Sequence, residues 1–393
     1  MRLRRMQDAD TQGKTALVRV DFNVPMDEGT ISDDRRIRAV VPTIQWLKAH
    51  GARVVLMTHL GRPEGHVDEA LRLDPIAERL AKLLEQTVIK LADSVGEEVE
   101  TAVVEAPSDA VILLENIRFH REETTNEPAF ARGLAGLADL FVNDAYATMH
   151  RAHASNVGVA DHLPAYAGLL VQREIEALSP VLEAPARPYV AIIGGKKAQS
   201  KLGPLKDLVS RVDEILIGGG VAMSFLHAEG LDVGASNVDQ KILGEIQFLR
   251  EAAVSAGVAI HLPVDVVCAE RLSADAETLE CPIREIPNAW HGFDIGKKTA
   301  QHFADRISAA GTIVWTGPMG AFEVAPFSTG TRLVGEAVAA SQAYSVIGGG
   351  ETGEAVGLFN LETDVSHVST GGGACLAMLR GKHLPAMEAL LEV

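Results

Sequence analysis

The chain reads as two successive alternations of short apolar runs with longer amphipathic stretches. In the first half, apolar runs at 15–20, 53–57, 110–114 and 140–142 predict strands. Between the first two, Ile37, Val40, Val41, Ile44 and Leu47 recur at helical spacing. Ser32 is the expected N-cap of that helix and Gly51 follows its end. A further helix opens at Asp74-Pro75, proline falling in the first turn. Residues 163–183 predict one long helix carrying Leu169, Leu170, Ile175, Leu178 and Leu182 on its apolar face. The stretch Ala184-Pro185-Ala186-Arg187-Pro188 then breaks the pattern, and a Pro-rich exit of this kind marks a domain boundary. Strand-like runs resume at 190–193, 214–217, 257–262, 312–315, 344–347 and 367–369.

Strands alternating with helices predict an α/β fold with parallel sheets covered on both faces. Ligands bind such sheets beyond the carboxyl ends of the strands. The residues waiting there differ between the halves. In the first they are polar or basic: Asp21, Asn23, His59, Arg62, Asn116 and Arg118, with His150, Arg151 and His153 after the fourth strand. That set suits a small anion. In the second half nearly every strand ends in glycine: Gly194-Gly195, Gly218-Gly219-Gly220, Gly317, Gly348-Gly349-Gly350 and Gly371-Gly372-Gly373. Backbone amides at helix N-termini would line that pocket, which suits a flat base and a phosphate chain. Lys196, Lys197 and Lys201 follow Gly194-Gly195 at once and add cationic charge. The spacing is neither a P-loop nor a dinucleotide fingerprint.

Composition narrows the setting. The 393 residues predict two or three domains, and a net charge of −17 argues against nucleic acid or an anionic membrane as partner. Three widely spaced cysteines in no metal-like pattern read as reduced thiols, and the basic N-terminus lacks the apolar segment of a signal peptide. No apolar run approaches the ~18 residues of a membrane span. A cytoplasmic chain is expected.

A cationic pocket in one domain and a glycine-lined pocket in the other suggest two substrates and phosphoryl transfer, in which positioning and charge stabilisation dominate. The motifs RVDFNVP, THLGRP, LLENIRFH, HRAHAS, VWTGPMGAFE and STGGGACL, in this order from about residue 15 onward, resemble those of the phosphoglycerate kinase family. The resemblance implies two Rossmann-like domains, 1–162 and 186–370, joined by a helix over 163–185, with 371–393 packing back on the first. It implies transfer between 1,3-bisphosphoglycerate and ADP to give 3-phosphoglycerate and ATP, with Mg²⁺ on the nucleotide and a monomeric enzyme. Carried over by motif position, Asp21, Asn23, Arg36, His59, Arg62, Arg118 and Arg151 would hold the phosphoglycerate. Arg36, Lys197, Gly371 and Gly372 would face the transferring phosphoryl group. Gly195, Lys201, Gly219, Gly220, Gly292, Glu323, Gly349, Gly350 and Thr352 would hold the nucleotide, and Glu351 both nucleotide and metal. The chain departs from the family's usual residues at Lys196, Ser200, Lys297, Thr316 and Glu351, positions that bear on nucleotide preference and metal geometry. Two alternatives remain at this stage: a kinase for another acid phosphate on the same scaffold, or a nucleotide-binding protein without catalysis.

Overall fold

The computed structural model describes residues 2–392, which divide into two compact units. One comprises the chain up to Glu176 together with the chain from His383; the other is Ala177–Lys382. Each is built on a six-stranded parallel sheet. In the first, the spatial order is Val88–Lys90, Val111–Leu113, Arg53–Met57, Thr15–Arg19, Leu140–Asn143, Ala165–Ala167. In the second it is Ala259–His261, Glu214–Ile217, Tyr189–Ile193, Thr312–Thr316, Tyr344–Ile347, His367–Val368. Helices cover both faces, so the central strands are buried along their length and read as unbroken apolar runs.

Numbered along the chain, the second sheet runs 3-2-1-4-5-6, the order typical of dinucleotide-binding folds; the first runs 3-4-2-1-5-6. Each has a switch point beside its earliest strand. In the first unit it lies between Thr15–Arg19 and Leu140–Asn143, in the second between Tyr189–Ile193 and Thr312–Thr316. The expected α/β class holds.

Several elements differ from the sequence expectation, among them the unpredicted edge strand Val88–Lys90. The first helix is Arg35–Ala49, entered through Asp34, and the Ser32 hydroxyl instead donates to the Pro25 carbonyl at 3.2 Å. The long helix is Leu169–Glu183, because residues ahead of it form the edge strand Ala165–Ala167. Its true N-terminal acceptor is Asp144, whose Oδ1 takes the amides of Leu170 and Val171 at 2.8 and 3.2 Å. Any side chain at Gly168 would collide with that carboxylate, so glycine is required before the helix. An antiparallel sheet of Leu279–Pro282, Asp265–Ala269 and His291–Ile295 was not expected; its outer strands are short and half exposed, which blurs their alternation.

The chain from His383 joins the first sheet's unit through its ends. Leu3 bridges Leu391, the Arg4 amide donates to Leu390 O at 2.7 Å, and the Glu392 amide donates to Arg2 O at 3.0 Å.

Candidate functional site

In the first unit, the loops after three neighbouring strands are tied together by side chains that were candidates from sequence. Arg36 Nη1 donates to Asp21 Oδ2 and to the Asn23 carbonyl, both at 2.9 Å. Asn23 Oδ1 accepts the Gly61 amide at 2.9 Å, and Arg118 Nη1 donates to Gly61 O at 2.7 Å. Asp21, His59 and Arg118 are buried, Arg151 is half buried, and Arg62, next to Gly61, is exposed.

Beneath these residues lies Arg19, only 1% exposed, which the strand pattern hid because it ends an otherwise apolar run. Its Nε donates to Ser155 Oγ at 2.8 Å, its Nη1 to the Val20 carbonyl and its Nη2 to His59 Nδ1 at 3.1 Å. A guanidinium has no acceptor, so His59 is unprotonated at Nδ1 and carries hydrogen on Nε2. Burial, then the charges of Arg19, Arg118, Arg151 and Arg36, hold His59 well below the usual imidazole range. Ser155 passes the contact on, donating from Oγ to Glu123 Oε1 at 2.8 Å and from its amide to Oε2 at 2.9 Å. Burial of Glu123 favours its neutral form, but His153, Arg19 and Ser155 outweigh that and keep it a carboxylate.

Arg118 is pushed down to about 10 by burial, Arg151 and Arg19, and its Nε is buried without a hydrogen-bond partner. Arg19 is lowered too, by burial; the charges of Glu123 and Asp21 oppose this and that of Arg151 adds to it. Around Arg118 the cations Arg151 and Arg19 outweigh the acids Glu123 and Asp21, which leaves its surroundings short of negative charge. A bound phosphate or carboxylate would relieve it and take the orphaned donor.

The second unit holds a cavity of about 400 Å³ at its switch point. Gly195, Gly219, Gly220, Gly292 and Gly320 form its backbone walls, and Met223, Leu272, Phe293 and Phe322 supply apolar faces. Glu323 and Glu351 line it as well, as does Lys196. The strand ends are knitted by main-chain bonds: Gly194 N to Thr316 O at 3.0 Å, Gly195 N to Pro318 O at 2.8 Å, Gly219 N to Met319 O at 2.9 Å. A Cβ on Gly220 would stand 2.6 Å from Lys196 O, so only glycine allows that approach. Apolar faces opposite bare backbone suit a planar base.

Next to Glu351, two helices begin side by side. Gly349 and Gly371 are the N-caps of Gly350–Leu358 and Gly372–Leu379, and Gly372 lies close to Gly349 and Gly350. Since both caps are glycine, no cap side chain competes for the first amides, which suits them to an anion. Thr352 Oγ1 accepts the Gly317 amide at 2.7 Å, fixing this end to the neighbouring strand. Lys201 is half buried; its Nζ donates to Thr316 Oγ1 at 3.2 Å, and burial lowers its proton affinity against the opposing charge of Glu351. Lys197 is exposed, its carbonyl accepting from Ser200 Oγ at 2.8 Å. Lys297 opens the helix Lys297–Ser308, its amide held by Glu280 Oε1 at 2.9 Å. The apolar lining had no signal in the sequence, because Met223 and Phe293 sit in segments that also read as ordinary core.

The phosphoglycerate kinase family profile matches residues 6–382. A phosphoglycerate kinase of Rubrobacter xylanophilus is 50% identical over 389 residues, covering 99% of this chain and 98% of its own. One of Moorella thermoacetica is 48% identical over 387 residues, covering 98% of both chains. Among solved structures, phosphoglycerate kinase from Coxiella burnetii superposes with a TM-score of 0.88 at 40% identity, covering 98% of both chains. That from Pyrococcus horikoshii gives 0.87 at 34% identity, over 99% of this chain and 98% of its own.

Proposed function

The chain belongs to the phosphoglycerate kinase family, and from that premise we propose that it transfers a phosphoryl group reversibly between 1,3-bisphosphoglycerate and ADP. The observation that carries the proposal is the buried Arg118, tied to the Gly61 carbonyl, with its Nε left without a partner beside Arg19 and neutral His59. Arg62, Arg118 and Arg151 grip the non-transferred phosphate of 3-phosphoglycerate as planar forks, and Asp21, Asn23 and His59 orient its other polar groups. The nucleotide base lies among Gly219, Gly220, Gly292 and Met223, its ribose by Glu323, and its phosphates by Gly195, Lys201 and the amides of Gly349, Gly350 and Thr352.

The attacking atom is a carboxylate oxygen or an ADP phosphate oxygen, already ionised at neutral pH. No proton has to be removed, so no general base is needed. The chain's task is to hold both reactants and to meet the charge spread over the transferring group. That task falls to Arg36, Lys197 and the amides of Gly371 and Gly372. Glu351 is the residue suited to Mg²⁺, which prefers one or two carboxylates with substrate phosphates and several retained waters. It lies beside two helix N-termini and near Lys201, which would hold phosphates, so its carboxylate is placed where a phosphate-bound Mg²⁺ would need one. When bound, the metal would neutralise phosphate charge.

We further take the chain to act as a monomer in the cytoplasm, the compartment that three widely spaced cysteines in no metal-like pattern suggest. Light scattering on the eluted protein tests the oligomeric state. No described helix is long and apolar enough to cross a membrane.

A coupled assay with 3-phosphoglycerate and ATP tests the activity directly. Lys197→Ala should lower kcat by about 10²–10³, the scale of losing one preorganised donor, with little change in KM. An intact kcat with a raised KM would assign Lys197 to binding instead.

A further inference from the structure

Cys268 and Cys281 sit on neighbouring strands of the small antiparallel sheet, outside the groups that the proposed reaction uses. Their Sγ atoms are 3.6 Å apart, within van der Waals reach and short of a bond. They are diagonal neighbours: Cys268 faces Leu279 in the ladder and Cys281 faces Val266. Closing them into a disulfide requires the sulfurs to approach by about 1.5 Å, to the usual S–S length of about 2.05 Å.

Both thiols are buried, Cys281 at 6% exposure, but they lie at different places in the sheet. Cys281 lies on the edge strand Leu279–Pro282, flanked by exposed Glu280 and Pro282. Cys268 is on the central strand, fully buried, and donates to the Leu279 carbonyl at 3.2 Å. Burial, then the neighbouring thiol, pushes Cys268 up to about 12, so it is not the sulfur that attacks first.

The same sheet forms part of the nucleotide cavity. On its other side Cys268 pairs with Gly292, across a bulge between Val267 and Cys268. His291, Gly292 and Phe293 line the cavity, as does Leu272 just beyond the strand of Cys268. The Gly292 amide is held by Ser236 Oγ at 3.0 Å, so a shift of this ladder moves a wall contact.

We propose that Cys268 and Cys281 form an oxidation-sensitive dithiol whose closure reshapes the wall of the nucleotide cavity. The oxidant is a low-molecular-weight disulfide such as oxidised glutathione. The Cys281 thiolate attacks one of its sulfurs, breaking that S–S bond, and the released small thiolate takes up the proton lost by Cys281. Cys268 then attacks the Cys281 sulfur of the mixed disulfide. The Cys268–Cys281 bond forms, and the second small thiolate leaves and takes up the Cys268 proton. Two electrons and two protons pass from the protein to the small disulfide, and a small dithiol reductant reverses the exchange. The effect on nucleotide rests on the nucleotide assignment above; the bond itself does not.

The test incubates the folded chain with oxidised glutathione, blocks remaining thiols, and maps peptides by mass spectrometry beside calorimetry with ADP. Two of the three thiols should disappear, joined as a Cys268–Cys281 peptide in a monomeric chain. ADP affinity should fall by about fivefold and return with dithiothreitol. Cys281→Ser should abolish both changes while binding ADP like the reduced parent. Three thiols persisting, pairing through Cys375 or between chains, or a bond that leaves ADP affinity unchanged would each overturn the proposal. Failure of the reduced parent to bind ADP would count against the nucleotide assignment alone, since peptide mapping reads the bond without it.

Discussion

At the scale of single residues, burial sets two ionisations in opposite directions. His59 is held well below its ordinary value by burial and by Arg19, so its contribution is fully present above about pH 6.5 and is lost as pH falls from there through its depressed folded value. Asp144 goes the other way: full burial raises it from 3.8 to about 6, against the amides of Leu170 and Val171 that favour its charge. A raised carboxyl favours the folded state below its unfolded value, and that contribution is lost as pH rises through 6. A shift of roughly two units corresponds to about 3 kcal/mol. Asp144→Asn keeps an oxygen for the helix amides and removes the charge. Urea unfolding of this variant should therefore show a flatter pH dependence between pH 4 and 6, and greater stability than the parent at pH 8. A parent-like slope would show that another group titrates there. Arg118 supports a second prediction. Arg118→Lys keeps the charge but loses the fork, so 3-phosphoglycerate affinity should fall about tenfold by calorimetry while ADP affinity stays unchanged. Equal losses for both ligands would mean the variant is misfolded. Asp21, Asn23, His59 and Arg118 were legible because strand-end polarity survives in sequence. Arg19, Ser155 and Glu123 were not, because their roles exist only through contacts among residues up to 136 positions apart.

At the scale of elements, the helix Arg35–Ala49 and the parallel strands were legible because each buries a continuous face, except the three-residue edge strands Val88–Lys90 and Ala165–Ala167, too short to show a pattern. Their boundaries failed where tertiary contacts decide the end: Asp144 fixes where the long helix starts, and no local signal around residue 163 could show it. The glycine turns are the reverse case, visible in sequence with their purpose hidden until the close approaches are seen. Gly220 tests that purpose. Adding a methyl group sets a Cβ against the Lys196 carbonyl at 2.6 Å, and backbone on both sides leaves no flexible group to yield. Gly220→Ala should displace the start of the helix Gly219–Ala228 from the turn at Gly195 and weaken ADP binding by about tenfold or more. The affinity for 3-phosphoglycerate should not change. Unaltered ADP binding would show that this glycine serves packing alone.

At the scale of the whole molecule, the two units carry complementary chemistry on similar frames. Both ligands are anions and the chain carries a net charge of −17, so affinity depends on charge gathered locally rather than on the overall field. The first unit gathers side-chain cations; the second offers amides at helix N-termini and few cations. Each ligand should therefore stabilise its own unit first. At a free concentration a hundred times its Kd, a ligand adds about 2.7 kcal/mol to the state that binds it. Hydrogen exchange can resolve this along the chain. With 3-phosphoglycerate alone, slowed exchange should concentrate in the loops carrying Asn23, Gly61 and Arg118. With ADP and Mg²⁺ alone, it should concentrate around Gly195, Gly219 and Gly349. Phosphoryl transfer also needs the reacting atoms within about 3–3.5 Å, which neither ligand can provide by itself. The two together should then slow exchange beyond the sum of the separate effects, above all in the helix Leu169–Glu183, through which the chain passes from one unit to the other. Strictly additive protection, or protection of both sets of loops by ADP alone, would mean that the ligands are not coupled through this helix.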